Sequence, residues 1–237
     1  MNTIPLKRGF TEIAPFYDLC QQHGAVICGG YARYCASPRP TPKVVPADDC
    51  DIFPLSEDAT TYLQADLAAM GYEVRHENHV SITMRPTDAK KDELAWLPTP
   101  QIIKPVVEGR IVTTGTTDVI LENFDFTIVR AAIISPTECM VDEDFESDEL
   151  HGVLRLKNIH CPISSLLRCC KYARKGYFLR PFEALKLFAD WEARDEDYRL
   201  RIQELFTRST FGEKDDEHPD GMTQEEIDEL EALLRID

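Results

Sequence analysis

Two glycines, three aspartates and a run of basic residues supply the chemistry that this sequence could do. Gly29-Gly30 follows the apolar run AVIC at 25–28 and precedes YARYCA. A strand-to-helix turn without Cβ atoms lets backbone N–H groups approach a phosphate, and the helix start adds its dipole. A tight turn with no ligand would use the same pair. Asp49-Cys50-Asp51 heads the alternating segment DCDIF. Side chains two apart on a strand leave from one face, so both carboxylates point together while Cys50 and Ile52 enter the opposite layer. Two such charges repel unless a cation sits between them, and hard carboxylate oxygens suit Mg2+ or Mn2+. An exposed aspartate-rich turn, DDCD with Asp48, is the competing reading. Asp125 stands near the start of the apolar run FDFTIVRAAII, where a carboxylate is costly to bury unpaired. It needs a hydrogen bond, an arginine or a metal. Arg130, five residues on, would face the other side of a strand and is a poor partner. A capped aspartate at a strand end is the alternative.

These residues need elements to position them. The spacing of Ile13, Phe16, Tyr17 and Cys20 predicts a helix over 11–23, with Pro15 in its first turn. Residues 25–28 read as a buried strand, 31–36 as a short helix and SPRPTPKVVP as a proline-rich loop. Residues 49–53 alternate like a strand, and 56–70 form an amphipathic helix with Ser56 as N-cap and Gly71 at its end. Further strands are expected over 72–75, 80–84 and 100–106, a short helix over 116–123, and the strongest strand over 124–134. After about residue 140 the pattern turns helical, over 164–177, 181–194 and 195–208. A polar linker at 211–221 leads to a short acidic helix at 223–235.

The 237 residues are 43% hydrophobic, which excludes global disorder. Eight cysteines form no CxxC pair, the start MNTIPLKRGF has no apolar core run, and no stretch approaches the ~20 apolar residues of a membrane span. The expectation is reduced thiols, no membrane and a cytoplasmic address, the host's cytoplasm if the source is viral. The net charge of −16 argues against a general nucleic-acid coat protein. Its distribution is uneven. Residues 211–237 hold eleven acids and two bases, and 141–150 hold six acids and no base. Residues 151–180 hold seven bases and no acid, a candidate anion-binding surface or a solvated helix face. His151 and His160-Cys161 match no zinc spacing. Ser164-Ser165 comes after Pro162 and reads as a helix start rather than a nucleophile. Trp96 and Trp191 read as packing anchors.

In this order, Gly-Gly, a short helix, a hydrophobically flanked Asp-x-Asp and a later lone Asp resemble the DNA polymerase β-like nucleotidyltransferase superfamily. The stretch AVICGGYAR…DDCDIF is similar to the head of the poly(A) polymerase and CCA-adding enzyme branch, whose Gly-Gly-x-x-Arg places Arg33 at the matching position. PISSLLRCCKYARKGY at 162–177 resembles that branch's neck helix, whose basic side chains line the nucleotide site. Small bacteriophage-encoded members are similar in the Phe-Asp-Phe-Thr stretch at 124–127. The resemblance implies an α+β fold: a nucleotidyltransferase-like mixed sheet flanked by helices, then a helical C-terminal region. It implies a catalytic domain over 1–140, a helical neck and body region over 141–210, and an acidic linker and terminal helix over 211–237. It makes Asp49, Asp51 and Asp125 the metal-holding catalytic carboxylates. Gly29 and Gly30 would cradle a triphosphate, Arg168 and Lys171 would neutralise it, and Arg33 would help. Three departures stand out: the loop from Gly30 to Asp49 is long, no Glu-Asp-x-x-Arg element is found, and the tRNA-holding helical body and tail are missing or short.

The leading expectation is therefore a Mg2+-dependent nucleotidyltransferase that moves NMP from an NTP to an acceptor hydroxyl and releases pyrophosphate. An RNA 3′ end is the first acceptor to consider. A protein or small-molecule hydroxyl is the second, and a catalytically silent nucleotide-binding or interaction module, with a protein partner on its acidic segments, is the third.

Overall fold

The structure, a computed structural model, describes residues 1–40, 47–78, 80–104, 106–107, 110–111, 116–211, 223, 225–227 and 229–230. Its centre is an eight-stranded mixed sheet. In chain order the strands are β1 (Asn2–Pro5), β2 (Ala25–Cys28), β3 (Asp49–Pro54), β4 (Tyr72–Glu77), β5 (Ser81–Pro86) and β6 (Thr99–Ile103). A separate short pair, β7 (Val106–Val107) and β8 (Arg110–Ile111), precedes β9 (Ala131–Ser135) and β10 (Glu138–Val141). The spatial order is β1-β10-β9-β2-β3-β6-β5-β4, with β3 and β6 parallel and the other neighbours antiparallel.

All four residues of β2 are buried because the strand is covered on both faces. Ala25 and Ile27 join the main core beneath α1 (Phe10–His23), α2 (Gly29–Ala36) and α3 (Glu57–Ala69). Val26 and Cys28 join Phe53, Ile103, Ile120 and Leu121 on the other face, below α5 (Thr117–Glu122). A short α4 (Lys91–Leu94) lies between β5 and β6. Helix α1 buries the expected Ile13, Phe16, Tyr17 and Cys20. It starts at Phe10, so Pro15 sits in its second turn rather than its first and leaves one backbone acceptor without its usual donor. Helix α3 has Ser56 as its cap, whose Oγ accepts the Ala59 N–H at 3.3 Å.

The expected strand over 124–134 is only half a strand. Residues Thr127–Val129 form a 3-10 turn and the sheet begins at Ala131. Phe126, Ile128 and Val129 instead pack into a second core with Leu154, Leu156, Tyr172 and Leu187. A short apolar run fits a buried strand or another buried segment equally well, and tertiary packing decides between them. Strands β1 and β10, and helix α6 (Phe145–His151) inside the acidic stretch, are elements that the sequence pattern did not give.

Beyond the sheet come β11 (Val153–Leu154), α7 (Pro162–Arg174), β12 (Phe178–Leu179), α8 (Pro181–Glu192) and α9 (Glu196–Phe211). Strands β11 and β12 pair in parallel. Most of the linker and terminal helix expected over 211–237 lie outside the described residues. All eight cysteines are free, with only Cys170 exposed. Trp96 is 58% exposed, against the expected packing anchor, whereas Trp191 packs beside Ile202. Among the described residues, no helix is long and apolar enough to cross a membrane.

Candidate active site

Strand pairing brings the glycine turn to the carboxylates. Cys28, the last residue of β2, is opposite Asp51 of β3. The chain therefore enters α2 at Gly29 directly beside the Asp51 side chain. Gly29 has φ +75°, and a Cβ there would lie 3.1 Å from Asp51 Oδ2 and 3.4 Å from the Phe124 ring. Both its conformation and its neighbours require glycine. At Gly30 a Cβ would meet only Ala47 Cβ, at an ordinary 3.5 Å. On β3, Cys50 and Ile52 are fully buried in the main core, while Asp49 and Asp51 stay partly exposed on the opposite face. Phe53 continues that face, and parallel pairing sets Gln101 of β6 beside Asp51.

Asp125 lies in the irregular stretch between α5 and the 3-10 turn. Arg130 shapes that stretch: its Nε donates to the Phe124 carbonyl at 3.0 Å and its Nη2 to the Glu122 carbonyl at 2.8 Å. The Lys157 N–H donates to the Asp125 carbonyl at 2.8 Å. Only 3% of Asp125 is exposed. Its Oδ2 accepts the Ser165 hydroxyl at 2.8 Å and Arg168 Nη1 at 3.1 Å, both from α7. Its Oδ1 is buried with no hydrogen-bond donor. An oxygen in that state is an acceptor held ready for a donor or a cation.

Helix α7 closes the site. Ser164, Leu167, Arg168, Lys171 and Tyr172 recur at helical spacing and so share one face. That face and the sheet enclose a cavity of about 260 Å³. Gly29, Gly30, Asp49, Asp51 and Asp125 line it from the sheet side, and Arg168 and Lys171 from the helix. Phe53, Ile103, Phe124 and Leu167 form an apolar wall, in which the Phe53 and Phe124 rings stand 5.5 Å apart. The cavity thus combines carboxylates and cations with an apolar wall that suits an apolar or π surface.

Asp49 and Asp51 offer hard oxygens, and the orphaned Asp125 Oδ1 adds a third kind of acceptor on the same cavity. This donor set fits a divalent cation of the Mg2+ type. Among the described residues, however, no group of three or more His, Cys, Asp or Glu lies together closely enough to hold a metal ion. Asp125 has its other oxygen committed to Ser165 and Arg168, so Asp49 and Asp51 are the pair that would hold such a cation.

Arg33 is the correction. Expected beside the nucleotide, it is 1% exposed and does not line the cavity. Its Nη1 donates to the Tyr177 hydroxyl at 2.7 Å and to Glu149 Oε1 at 3.4 Å. Burial alone would lower its pKa; the charge and hydrogen bond of Glu149, together with Tyr177 and Tyr172, outweigh that and raise it. The side chain leaves α2 toward α6 and serves to join them.

Sequence reasoning missed Ser165, Gln101 and Lys175. Ser165 is one turn before Arg168 on α7, a spacing that could have signalled a shared partner. Gln101 depends on the β3–β6 register and left no local signal. Burial pushes the Lys175 amine down, helped by the charges of Arg33 and Lys171 and opposed by Asp49 and Asp48, so it belongs to the site's electrostatics.

No family model matches the chain, and no curated protein matches it. Solved structures do. A CCA-adding enzyme in complex with CTP superposes with a TM-score of 0.57 at 17% identity, over 98% of this chain and 56% of that one. The Thermotoga maritima CCA-adding enzyme complexed with tRNA gives 0.54 at 16%, over 98% and 56%. The Bacillus stearothermophilus CCA-adding enzyme in complex with CTP gives 0.51 at 16%, over 84% and 48%. The chain spans about half the length of these proteins. The likeness is one of fold: the mixed α+β sheet of this chain and its flanking helices are arranged as in these three structures.

Proposed function

We propose that this chain, with its nucleotidyltransferase fold, binds a nucleoside triphosphate in the cavity and transfers its nucleotidyl group to an acceptor hydroxyl, releasing pyrophosphate. One observation carries the reading. Two glycines, three aspartates and two cations that lie as far apart in sequence as Gly29 and Lys171 converge on a single cavity.

Each residue then has a task. The N–H groups at the start of α2, Gly29 and Gly30 among them, face the triphosphate with no side chain in the way. Arg168 and Lys171, one helical turn apart, neutralise it, Arg168 as a planar fork and Lys171 as a point charge. Asp49 and Asp51 would hold Mg2+ or Mn2+, with Asp125 contributing on the acceptor side. The metal, when bound, supplies charge stabilisation at the phosphates and lowers the pKa of the acceptor hydroxyl. Ser165 and Arg168 hold the Asp125 carboxylate, and Arg130 holds the backbone just before it, so this carboxylate is set before substrate arrives. The apolar wall at Phe53 and Phe124 gives a base a face to stack on. Residues 1–140 would be the catalytic unit and 141–210 the neck that brings α7 over it.

An RNA 3′ end is the acceptor we place first, on the basic, acid-free run 151–180. The net charge of −16 favours a second reading, in which the acceptor hydroxyl belongs to a protein or a small molecule. Incubation with each labelled NTP, Mg2+ or Mn2+, and total RNA and protein tests both: label in the RNA fraction supports the first, label in protein or a small molecule the second. Asp51→Asn is expected to reduce transfer roughly a thousandfold, about 4 kcal/mol of barrier. Transfer by Asp51→Asn at the unmutated rate would remove the carboxylate from the mechanism.

A further inference from the structure

Helix α8 turns a large apolar face to solvent. Phe182 is 67% exposed, Leu185 64% and Phe188 64%, and Phe178 just before the helix is 53% exposed. Only Glu183 and Leu187 are buried on the inner side. The outer residues recur every three positions and so form one stripe along the helix. Among the described residues, no other cluster of large apolar side chains is so close in sequence and so exposed.

We infer that this stripe is the centre of a two-fold interface with a second copy of the same chain. Three observations select that occupant. The first is symmetry. The pattern Phe182-x-x-Leu185-x-x-Phe188 reads the same in both directions about Leu185. An antiparallel pair of α8 helices therefore sets Leu185 against its own mate and Phe182 against the second copy's Phe188. A two-fold interface requires just this self-complementarity.

The second is charge. The chain carries −16, which opposes self-association wherever its acids cluster. On α8 every charged residue is already paired within the chain: Glu183 with Lys186 at 3.0 Å, Asp190 with Arg194 at 2.7 Å, and Glu192 with Arg199 at 3.2 Å. Lys186 also stands 5.2 Å from the Phe182 ring. The helix is thus a neutral apolar window on an acidic molecule, where two like-charged copies can meet. A nucleic acid or a strongly charged protein would find little there to attract it. Apolar interface centres depleted of free charge are typical of homodimers.

The third is area. A fully buried aromatic side chain contributes about 150–250 Å². At the observed exposures the four side chains present roughly 450 Å² per copy. Two copies then cover about 900 Å² before any rim is added, close to the ~1,000 Å² at which specific interfaces begin.

Light scattering on the full chain over a dilution series tests the inference. The expected mass is twice the 27.0 kDa of one chain at high concentration, falling to one chain on dilution. Leu185→Asp places two carboxylates on the axis and is expected to weaken the dimer at least a hundredfold, on the order of a central interface residue. Its circular dichroism should match the parent's, since Leu185 is on the surface, and its melting should match that of the parent diluted to single chains. Should that variant misfold, Leu185→Cys in a Cys170→Ser background decides instead, because a residue on the axis cross-links to its own mate under mild oxidant. A chain of 27.0 kDa at every concentration overturns the inference and leaves the stripe to a different protein. A dimer that neither Leu185→Asp weakens nor Leu185→Cys cross-links also overturns it, since it must then use another face.

Discussion

At Gly29 backbone and chemistry meet in one residue. A methyl group there would strain a left-handed backbone and press on the Asp51 carboxylate, whereas Gly30 tolerates one. Gly29→Ala is expected to abolish the Mg2+-dependent thermal shift produced by NTPs, and Gly30→Ala to keep most of it. Equal loss in both, or in neither, would show that Gly29 does not shape the nucleotide site. Ser165 is the second such position. Ser165→Ala removes one of two donors from a carboxylate that is 3% exposed. The cost expected is about 1–3 kcal/mol of stability, read as a lower urea midpoint.

At the scale of elements, a buried polar cluster fastens α2 to α6 and to the chain just after α7. Arg33 of α2, Glu149 of α6 and Tyr177 after α7 share hydrogen bonds, with Ser37 Oγ donating to Glu149 Oε2 and the Tyr177 hydroxyl donating to Glu149 Oε1 at 2.6 Å. Arg33 and Glu149 are 1% and 0% exposed, so water does not screen them. Glu149→Ala strands the Arg33 charge and is expected to cost about 3–5 kcal/mol. The double variant Arg33→Met with Glu149→Leu should recover much of that loss, because neither charge is then buried alone. Urea unfolding of the three proteins reads both outcomes. The cluster also sets the seat of α7, and through it the reach of Arg168 and Lys171 into the cavity.

For the molecule as a whole, the thiols give a pH dependence. Burial pushes Cys20, Cys139 and Cys169 up to about 12 from an ordinary 9.0. A folded-state pKa above the unfolded one means that the fold favours the protonated thiol. This stabilisation is complete below pH 9.0 and is lost as pH rises from there toward about 12. Each thiol contributes about 1.4 kcal/mol per pH unit in that window. The urea midpoint is expected to hold up to pH 9.0 and fall steeply above it. Cysteine-to-alanine substitution at these three sites should make the fall shallower without removing it, because burial pushes the Cys28, Cys35 and Cys50 thiols up as well; an unchanged alkaline limb would place its origin elsewhere.

How much of this was legible before folding depends on the range of the signal. The Asp49 and Asp51 pair could be read because strand alternation is local: Cys50 and Ile52 had to enter the core, so the carboxylates had to leave it. The α7 face could be read for the same reason, from helical spacing. Arg33 could not, since its partner Glu149 is 116 residues away and lies on a helix hidden in an acidic stretch. Nor could the break of the 124–134 run, since the partners that draw Phe126, Ile128 and Val129 into the second core, Leu154, Leu156, Tyr172 and Leu187, lie about 20 to 60 residues further on. Local periodicity and residue chemistry determined which side chains were available and which way each faced from its own element. Tertiary structure decided which of them met, because register, buried pairing and the packing of α7 over the sheet are contacts between segments distant in the chain.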